Sequence, residues 1–246
     1  MNHKNPFAGR FTSSSEKRDY VRTLFSSIPD HYDFMNRIMS LGLDMSWRRK
    51  SIGLAEFAPE GALLDLAAGS GDMTLAALSI LPQARFIGLD FCEPLLRRAQ
   101  LKFRNTIHAE KVVWIQGDAL DLPFADQSLD GAFTAFALRN VTSVEKTFSE
   151  LHRVIRPGGK LVSLEMVKQS NRLLHTMFSF YFKQIIPRLG RWLTRYPDAY
   201  SYLPLSIENF YTADGLTEVI ERAGWTHVRH WPVMFRNVAI HVAEKK

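Results

Sequence analysis

The chain has 246 residues, 46% of them hydrophobic and 12% aromatic, which is enough to bury the core of one α/β domain. Its single cysteine, Cys92, excludes a disulfide framework, and the first residues do not follow the charged-then-apolar pattern of a secretory signal, so a cytoplasmic location is expected. No apolar run approaches the ~18 residues of a membrane-spanning helix. The net charge of +6 suits anionic partners, but no nucleic-acid motif accompanies it, and we expect no nucleic acid as partner.

The first part of the chain is predicted to be helical. Residues 1–15 are polar and rich in serine and predict a flexible arm, followed by a single domain over residues 16–246. Within residues 17–41 the apolar side chains recur every three or four positions and Pro29 interrupts them, which predicts two short helices. We interpret residues 16–58 as an N-terminal helical lid.

Five short apolar runs of strand length follow, at residues 61–67, 84–90, 111–118, 128–136 and 159–167. Helical stretches separate them at residues 72–80, 93–104 and 143–155, and RPGG at residues 156–159 is predicted as a turn into the fifth strand. Strands that alternate with helices predict a doubly wound, mostly parallel sheet. Residues 225–235 and 237–245 lack an intervening helix and predict an antiparallel hairpin, which makes seven strands. Residues 171–221 predict a helical insertion over a substrate site.

The stretch DLAAGSGD, residues 65–72, follows the first predicted strand and opens a helix. In an open parallel sheet, ligands bind beyond the carboxyl ends of the strands, and glycine lets the backbone approach a ligand closely. The dinucleotide fingerprint requires a third glycine where Thr74 stands, and Asp65 and Asp72 would repel a diphosphate. S-adenosylmethionine, which carries an ammonium and a sulfonium group and no phosphate, fits these residues better than a dinucleotide.

Two further aspartates close predicted strands. Asp90 ends the second strand and suits the ribose hydroxyls of this cofactor, and Asp118 ends the third strand and suits its adenine amino group. Each residue also has a simpler interpretation, as a tight turn, as a helix N-cap or as a charge at the positive end of a helix. Taken together, they predict S-adenosylmethionine as cofactor, with the following binding residues: Asp65, Ala67, Gly69, Ser70, Gly71, Asp72, Asp90, Phe91, Asp118 and Ala119.

These stretches, with IGLD, QGDALDLPF and RVIRPGGKL, resemble the successive motifs of class I S-adenosylmethionine-dependent methyltransferases. More narrowly, VRTLFSSIPDHYDFMNRIMSLGLDMSWRR, FALRNVT, LEMVK and YSYLPLSI resemble the ubiquinone/menaquinone biosynthesis C-methyltransferase family, and the similarity runs over residues 18–241. The resemblance implies methyl transfer to a ring carbon of a polyprenylated quinol, either a demethylmenaquinol or a benzoquinol of the ubiquinone pathway. It also implies the class I fold, a Rossmann-like sheet.

The resemblance further implies the residues that act on the acceptor. Arg139 and Asn140, in FALRNVT, are expected beside the methyl group, where Arg139 would stabilise an oxyanion or orient a water that acts as base. The alternative is that Arg139 only pairs with a carboxylate such as Asp33 and shapes the loop. Tyr32 is expected on the lid helix over the cofactor, with packing on that helix as its alternative interpretation.

Tyr200 and Tyr202 are expected to contact the acceptor, and aromatic core packing is the alternative for both. The chain departs from the family's usual pattern at Arg195, Tyr196, Leu205, Tyr211 and Arg236, in the region expected to shape the acceptor site. We therefore keep two alternatives: a methyltransferase of this family acting on another small hydrophobic or phenolic acceptor, and a non-catalytic cofactor-binding protein.

Two features bear on metals and partners. The eight histidines lack the spacing of a zinc site, so no metal is expected. Residues 172–195 combine large apolar residues with arginine and lysine, which is the composition of a helix that contacts a membrane surface. The same segment fits a core helix or the contact of a homodimer, and the sequence does not choose among the three.

Overall fold

The computed structural model of the chain describes residues 11, 13–27, 36–38, 40–169, 171 and 197–246. Its helices and strands, in chain order, are α1 (Ser14–Ser27), α2 (Asp44–Ala55), β1 (Ala62–Leu66), α3 (Asp72–Leu78), β2 (Arg85–Asp90), α4 (Glu93–Phe103), β3 (Val112–Gln116), β4 (Leu129–Ala135), α5 (Val144–Val154), β5 (Ile155–Met166), α6 (Pro197–Glu208), α7 (Ala213–Arg222), β6 (Thr226–Val233) and β7 (Val238–Glu244).

The seven strands form one sheet in the order β3-β2-β1-β4-β5-β7-β6. The first five are parallel to one another, and β7 lies antiparallel between β5 and β6. This arrangement confirms the predicted doubly wound sheet and its C-terminal hairpin. The strand order reverses between β1 and β4, so the carboxyl ends of these strands and of β2 and β3 meet at one edge of the sheet, where ligands bind in such folds.

Alternation along each strand divides the core between the two faces of the sheet. On β5, Leu161 packs in a cluster with side chains of α5 and α7, whereas Val162 and Leu164 pack with side chains of α1, α2 and α3. Both faces of the central strands are therefore covered, which explains why their sequences are almost continuously apolar. No helix in the part of the chain that is described has the length and apolar character needed to cross a bilayer.

The fifth strand begins earlier than the sequence predicts. RPGG, predicted as a turn before the strand, lies inside β5, whose first residue is Ile155. Gly158 adopts a φ of +79°, and its N–H donates to the carbonyl of Lys245 (2.7 Å), while the N–H of Lys245 donates to the carbonyl of Gly159 (3.0 Å). Pairing with the residue that follows β7 keeps these glycines in the sheet, so the predicted turn is wrong at this point.

The N-terminal elements also differ from the predicted boundaries. Helix α1 begins at Ser14, inside the predicted arm, and Phe11 is buried with its ring 5.3 Å from that of Tyr20. Of the second predicted helix, residues 36–38 are helical and residues 28–35 lie outside the described chain. Helix α2 packs on α3 and β5 through a buried face that includes Trp47 and Ile52. The division into arm, lid and insertion remains a prediction.

Alanine substitutions at two glycines are predicted to change stability in opposite directions. In β2, a Cβ on Gly88 would lie 2.3 Å from the Trp114 ring, so we expect Gly88→Ala to lower the free energy of unfolding by about 1–3 kcal/mol through overpacking. In α2, a Cβ on Gly53 would meet no atom of the described residues within 4 Å, and Gly53→Ala should raise the free energy of unfolding by up to about 1 kcal/mol. Urea denaturation of both variants measures the difference, and equal effects would contradict this packing.

Candidate active site

A cavity opens at the edge of the sheet where the parallel strands end. It encloses about 810 Å³ including its open mouth. Its described lining comes from α1, from the turn after β1 and from the residues that follow β2, β3 and β4: Arg18, Val21, Phe25, Ala67, Gly69, Leu89, Asp90, Phe91, Leu95, Gly117, Asp118, Ala119, Leu120, Ala135, Phe136, Ala137, Asn140, Val141 and Thr142. Predicted cofactor residues and the predicted Asn140 therefore share one cavity.

Asp90 connects the ends of two strands. Its carboxylate accepts one hydrogen bond from the N–H of Gly69 (2.8 Å) and another from the N–H of Cys92 (2.8 Å). Burial raises the pKa of Asp90 to about 6, although the N–H groups of Cys92 and Gly69 oppose that shift. Asp90 is therefore largely ionised at neutral pH and serves as a strong acceptor at the wall of the cavity.

The turn DLAAGSGD has backbone conformations that few residues adopt. Ala67, Gly69 and Gly71 all have positive φ, of 56°, 55° and 84°. A Cβ on Gly71 would lie 2.8 Å from the Trp114 ring and 3.0 Å from the Phe103 ring, so packing alone requires glycine there. Ala67 has a side chain and lies at the cavity, which fits the tendency of strained backbone to occur at functional sites.

The two carboxylates that flank this turn do not belong to the described lining of the cavity. Asp65 is buried and accepts a hydrogen bond from the Thr74 hydroxyl (2.5 Å). Asp72 forms ion pairs with Arg37 (3.3 Å) and Lys102 (2.8 Å). Ser70 and Gly71 also lie outside that lining, so contact of these four residues with a cofactor remains a prediction. Thr74, where a dinucleotide site would require glycine, is instead the partner of Asp65.

Phe91, Asp118 and Ala119 do line the cavity. One oxygen of Asp118 accepts from the N–H of Leu120 (2.9 Å), and the other lies 3.4 Å from a guanidinium nitrogen of Arg18 on α1. Arg18 was not predicted as a site residue, because its partner Asp118 is 100 residues away along the chain. This exposed pair joins the first helix to the end of the third strand, and exposed ion pairs of this kind add about 1 kcal/mol or less to stability.

The loop after β4 carries the predicted acceptor-side residues. Asn140 lines the cavity, and its Oδ1 accepts a hydrogen bond from the Tyr202 hydroxyl (3.1 Å). Arg139 is 7% exposed, lies outside the described lining and forms an ion pair with Glu165 of β5, which is completely buried. Burial raises the pKa of Glu165, and Arg139 opposes the shift.

Glu165 was not predicted as a functional residue. The signal that could have identified it is a single carboxylate in a mostly apolar strand, LVSLEMV. Glu165 takes the place of Asp33, the partner that the alternative interpretation of Arg139 suggested. Asp33 and Tyr32 lie outside the described residues, as does the side chain of Tyr200. Among the residues described, no group of three histidine, cysteine, aspartate or glutamate side chains could hold a metal ion.

The buried Asp65 predicts a pH dependence of stability. Burial raises its pKa from 3.8 to about 7, so the folded chain binds this proton more tightly than the unfolded chain does. The Asp65 contribution to stability is therefore largest at low pH and is lost as pH rises from about 4 to about 7. Asp65→Asn keeps an acceptor for Thr74 without the charge and should raise the free energy of unfolding by about 2–4 kcal/mol at pH 8.

Urea denaturation at pH 5 and pH 8 measures this effect. We expect the advantage of Asp65→Asn over the wild type to be smaller at pH 5, because the wild-type carboxyl is then mostly protonated. An advantage of the same size at both pH values, or a variant less stable at both, would contradict the raised pKa.

The comparison with known proteins agrees with this geometry. Residues 12–245 match the ubiE/COQ5 methyltransferase family. The chain is 38% identical over 231 residues to the demethylmenaquinone methyltransferase of Roseiflexus sp. (strain RS-1), a match that covers 94% of this chain and 95% of that protein. It is 32% identical over 232 residues to the ubiquinone/menaquinone biosynthesis C-methyltransferase UbiE of Geobacter sp. (strain M21), with coverage of 94% and 98%.

Among solved structures, a SAM-dependent methyltransferase of Thermotoga maritima has the same fold. The TM-score is 0.63 at 15% sequence identity, with 92% of this chain and 100% of that chain covered. At that identity the likeness supports the class I methyltransferase fold alone. The family match spans nearly the whole chain, and the chain therefore belongs to the ubiE/COQ5 methyltransferase family and is a methyltransferase.

Proposed function

We propose that this enzyme transfers the methyl group of S-adenosylmethionine to a ring carbon of a polyprenylated quinol, a demethylmenaquinol or a benzoquinol of the ubiquinone pathway. One observation carries the proposal: Asp90 and Asp118, at the ends of β2 and β3, line the same cavity as Asn140 in the loop after β4. Residues suited to the methyl donor and residues suited to the acceptor thus meet in one space. The names of the Roseiflexus and Geobacter relatives support a quinol as the acceptor.

The residues present fit the cofactor. Each oxygen of Asp90 accepts one backbone N–H and keeps further acceptor capacity for a ribose hydroxyl. The side chain of Asp118 is 41% exposed, which leaves it accessible to an adenine amino group. Leu89, Leu95 and Leu120 supply apolar lining for the faces of the base. Thr74 stands where the dinucleotide fingerprint requires glycine, which supports this cofactor over a dinucleotide.

When bound, S-adenosylmethionine supplies an electrophilic methyl group. The acceptor ring carbon becomes a strong nucleophile when the neighbouring hydroxyl loses its proton, so the enzyme must stabilise the resulting oxyanion. Arg139 suits this task because its Nε is buried and has no hydrogen-bond partner among the residues that the structure describes. Val21, Phe25 and Phe136 give the cavity an apolar wall, which excludes water and strengthens the electrostatic contacts inside.

The departures from the family pattern do not favour another acceptor. Leu205 is 40% exposed on α6, the hydroxyl of Tyr211 donates to Glu145 (2.8 Å), and Arg236 lies in the turn between β6 and β7. None of the three belongs to the described lining of the cavity. Arg195 and Tyr196 lie outside the described residues. No observation therefore favours a small phenolic acceptor or a non-catalytic binding protein over the quinol.

A polyprenylated acceptor also has a consequence for location. Its isoprenoid tail partitions into the bilayer, so a cytoplasmic enzyme that uses it must reach the ring at the membrane surface. We propose peripheral contact through residues 172–195, which carry apolar and basic side chains in the composition of an interfacial helix. These residues lie outside the described part of the chain.

The cofactor site is tested by calorimetric titration with S-adenosylhomocysteine. Asp90→Ala removes a charged acceptor, and we expect the affinity to fall about 10- to 100-fold. Asp214→Ala, which removes an exposed carboxylate outside the cavity lining, is the matched control and should bind like the wild type. Unchanged affinity in Asp90→Ala, or no binding by the wild type, would contradict the proposed cofactor.

The role of Arg139 is tested by Arg139→Lys, which keeps a positive charge next to Glu165 but removes the planar fork and Nε. We expect methyl transfer to a demethylmenaquinol in detergent micelles to fall at least about 100-fold. Affinity for S-adenosylhomocysteine should stay within about twofold, because Arg139 is outside the described cavity lining. Unchanged turnover would remove Arg139 from the mechanism, and a wild type that methylates only soluble phenols would support the other acceptor class.

A further inference from the structure

Helix α1 contacts both the cavity and the loop that carries Arg139. One stripe of the helix, formed by Arg18, Val21 and Phe25, lines the cavity. Lys17, on the adjacent stripe, contacts the loop instead: its Nζ donates to the carbonyl of Val141 (2.5 Å) and to the carbonyl of Arg139 (3.2 Å). The same helix thus contacts both the space proposed for the cofactor and the segment proposed to act on the acceptor.

The Lys17 contact is specific. Lysine is among the residues least often buried, yet Lys17 is only 3% exposed, and burial lowers its pKa to about 7. Two hydrogen bonds from its Nζ end on one loop, at the carbonyls of Arg139 and Val141, and they offset part of the cost of burying this polar group. The carbonyls belong to the residues before and after Asn140, so Lys17 holds the 139–140 and 141–142 peptide units around this cavity residue.

A second contact connects α1 to α6. The rings of Tyr20 on α1 and Tyr202 on α6 lie 5.6 Å apart, and the hydroxyl of Tyr202 donates to the side chain of Asn140. Asn140 is therefore held through its backbone neighbours by Lys17 and through its side chain by Tyr202. A shift of α1 would disturb both constraints, because both depend on the position of this helix.

We propose that Lys17 is a positioning residue that couples the seating of α1 over the cofactor to the geometry of the Arg139–Asn140–Val141 loop. A cofactor in the cavity adds apolar contact to α1 and so stabilises the position of the helix seen here, in which Lys17 reaches the two carbonyls and the loop is held in place to orient the acceptor. This inference rests on the proposed function. It predicts that cofactor and acceptor strengthen each other's binding, and because such coupling is reciprocal, either ligand can be titrated to measure it.

Hydrogen–deuterium exchange of the wild-type enzyme, measured without any acceptor, tests whether the cofactor site is coupled to the loop. We expect S-adenosylhomocysteine to slow exchange in peptides that cover residues 17–25 and also in those that cover residues 137–142. Protection of the second segment should disappear in Lys17→Met, which has similar length but no donor. If the wild-type loop exchanges at the same rate with and without S-adenosylhomocysteine, the proposal is overturned.

The effect of the cofactor site on acceptor binding is tested by measuring the affinity for a short-chain prenylated naphthoquinol in the presence and absence of S-adenosylhomocysteine. We expect the affinity of the wild type for the naphthoquinol to rise about 5- to 150-fold when S-adenosylhomocysteine is present, which is the usual range for coupled sites. In Lys17→Met the ratio should fall towards one and kcat should fall, while the affinity for S-adenosylhomocysteine alone changes less than about threefold. Arg22→Met, which removes an exposed cation from the same helix, is the matched control and should behave like the wild type.

The outcomes separate this inference from the proposed function. A Lys17→Met variant with wild-type coupling would overturn the role of Lys17. A Lys17→Met variant that loses both its affinity for S-adenosylhomocysteine and its thermal stability would also overturn that role, because Lys17 would then act only in folding. A wild type whose loop is protected by S-adenosylhomocysteine but which methylates no prenylated quinol would refute the proposed acceptor and leave the coupling between α1 and the loop intact.

Discussion

The site depends first on how the buried carboxylate of Asp90 is satisfied. Two backbone N–H groups, from Gly69 after β1 and from Cys92 before α4, meet its two oxygens, and these bonds offset the cost of burying the charge. These two hydrogen bonds also fix the turn that follows β1 relative to the end of β2. The wall of the cavity therefore has a defined shape and a negative charge before any ligand arrives, which is the kind of preorganisation that binding requires.

The four aspartates that the sequence assigns to the cofactor have different roles in the structure. Asp65 accepts a hydrogen bond from Thr74 and Asp72 pairs with Arg37 and Lys102, whereas Asp90 and Asp118 line the cavity. Asp65 and Asp72 do not belong to the described lining, so the preference against a dinucleotide depends on Thr74, which stands where the dinucleotide fingerprint requires glycine. Glycine in the turn is likewise explained in part by packing, because Trp114 leaves no room for a side chain on Gly71.

The sequence predicted what depends on local pattern. Strand length, alternation with helices and the missing helix before the last strand were sufficient for the parallel sheet and its hairpin, and the topology then placed Asp90 and Asp118 at the same edge. Pairs distant along the chain were not predictable. Lys17 and Arg139 are 122 residues apart, and Arg139 and Glu165 are separated by 26 residues and by a helix. Periodicity contains no information about which buried charges will meet.

The Arg139–Glu165 pair restricts the chemistry that the loop can perform. Arginine keeps its proton at any physiological pH, so Arg139 cannot accept a proton from the acceptor hydroxyl. Glu165 neutralises the buried guanidinium, which makes burial tolerable and leaves Nε as a donor held in place. Arg139 therefore suits the orientation of an oxyanion or of a water, and the proton must leave by way of that water or of another group. Acid–base chemistry and charge stabilisation are thus assigned to different groups in this site. The loop that Lys17 and Tyr202 hold supplies the charge stabilisation, through Arg139.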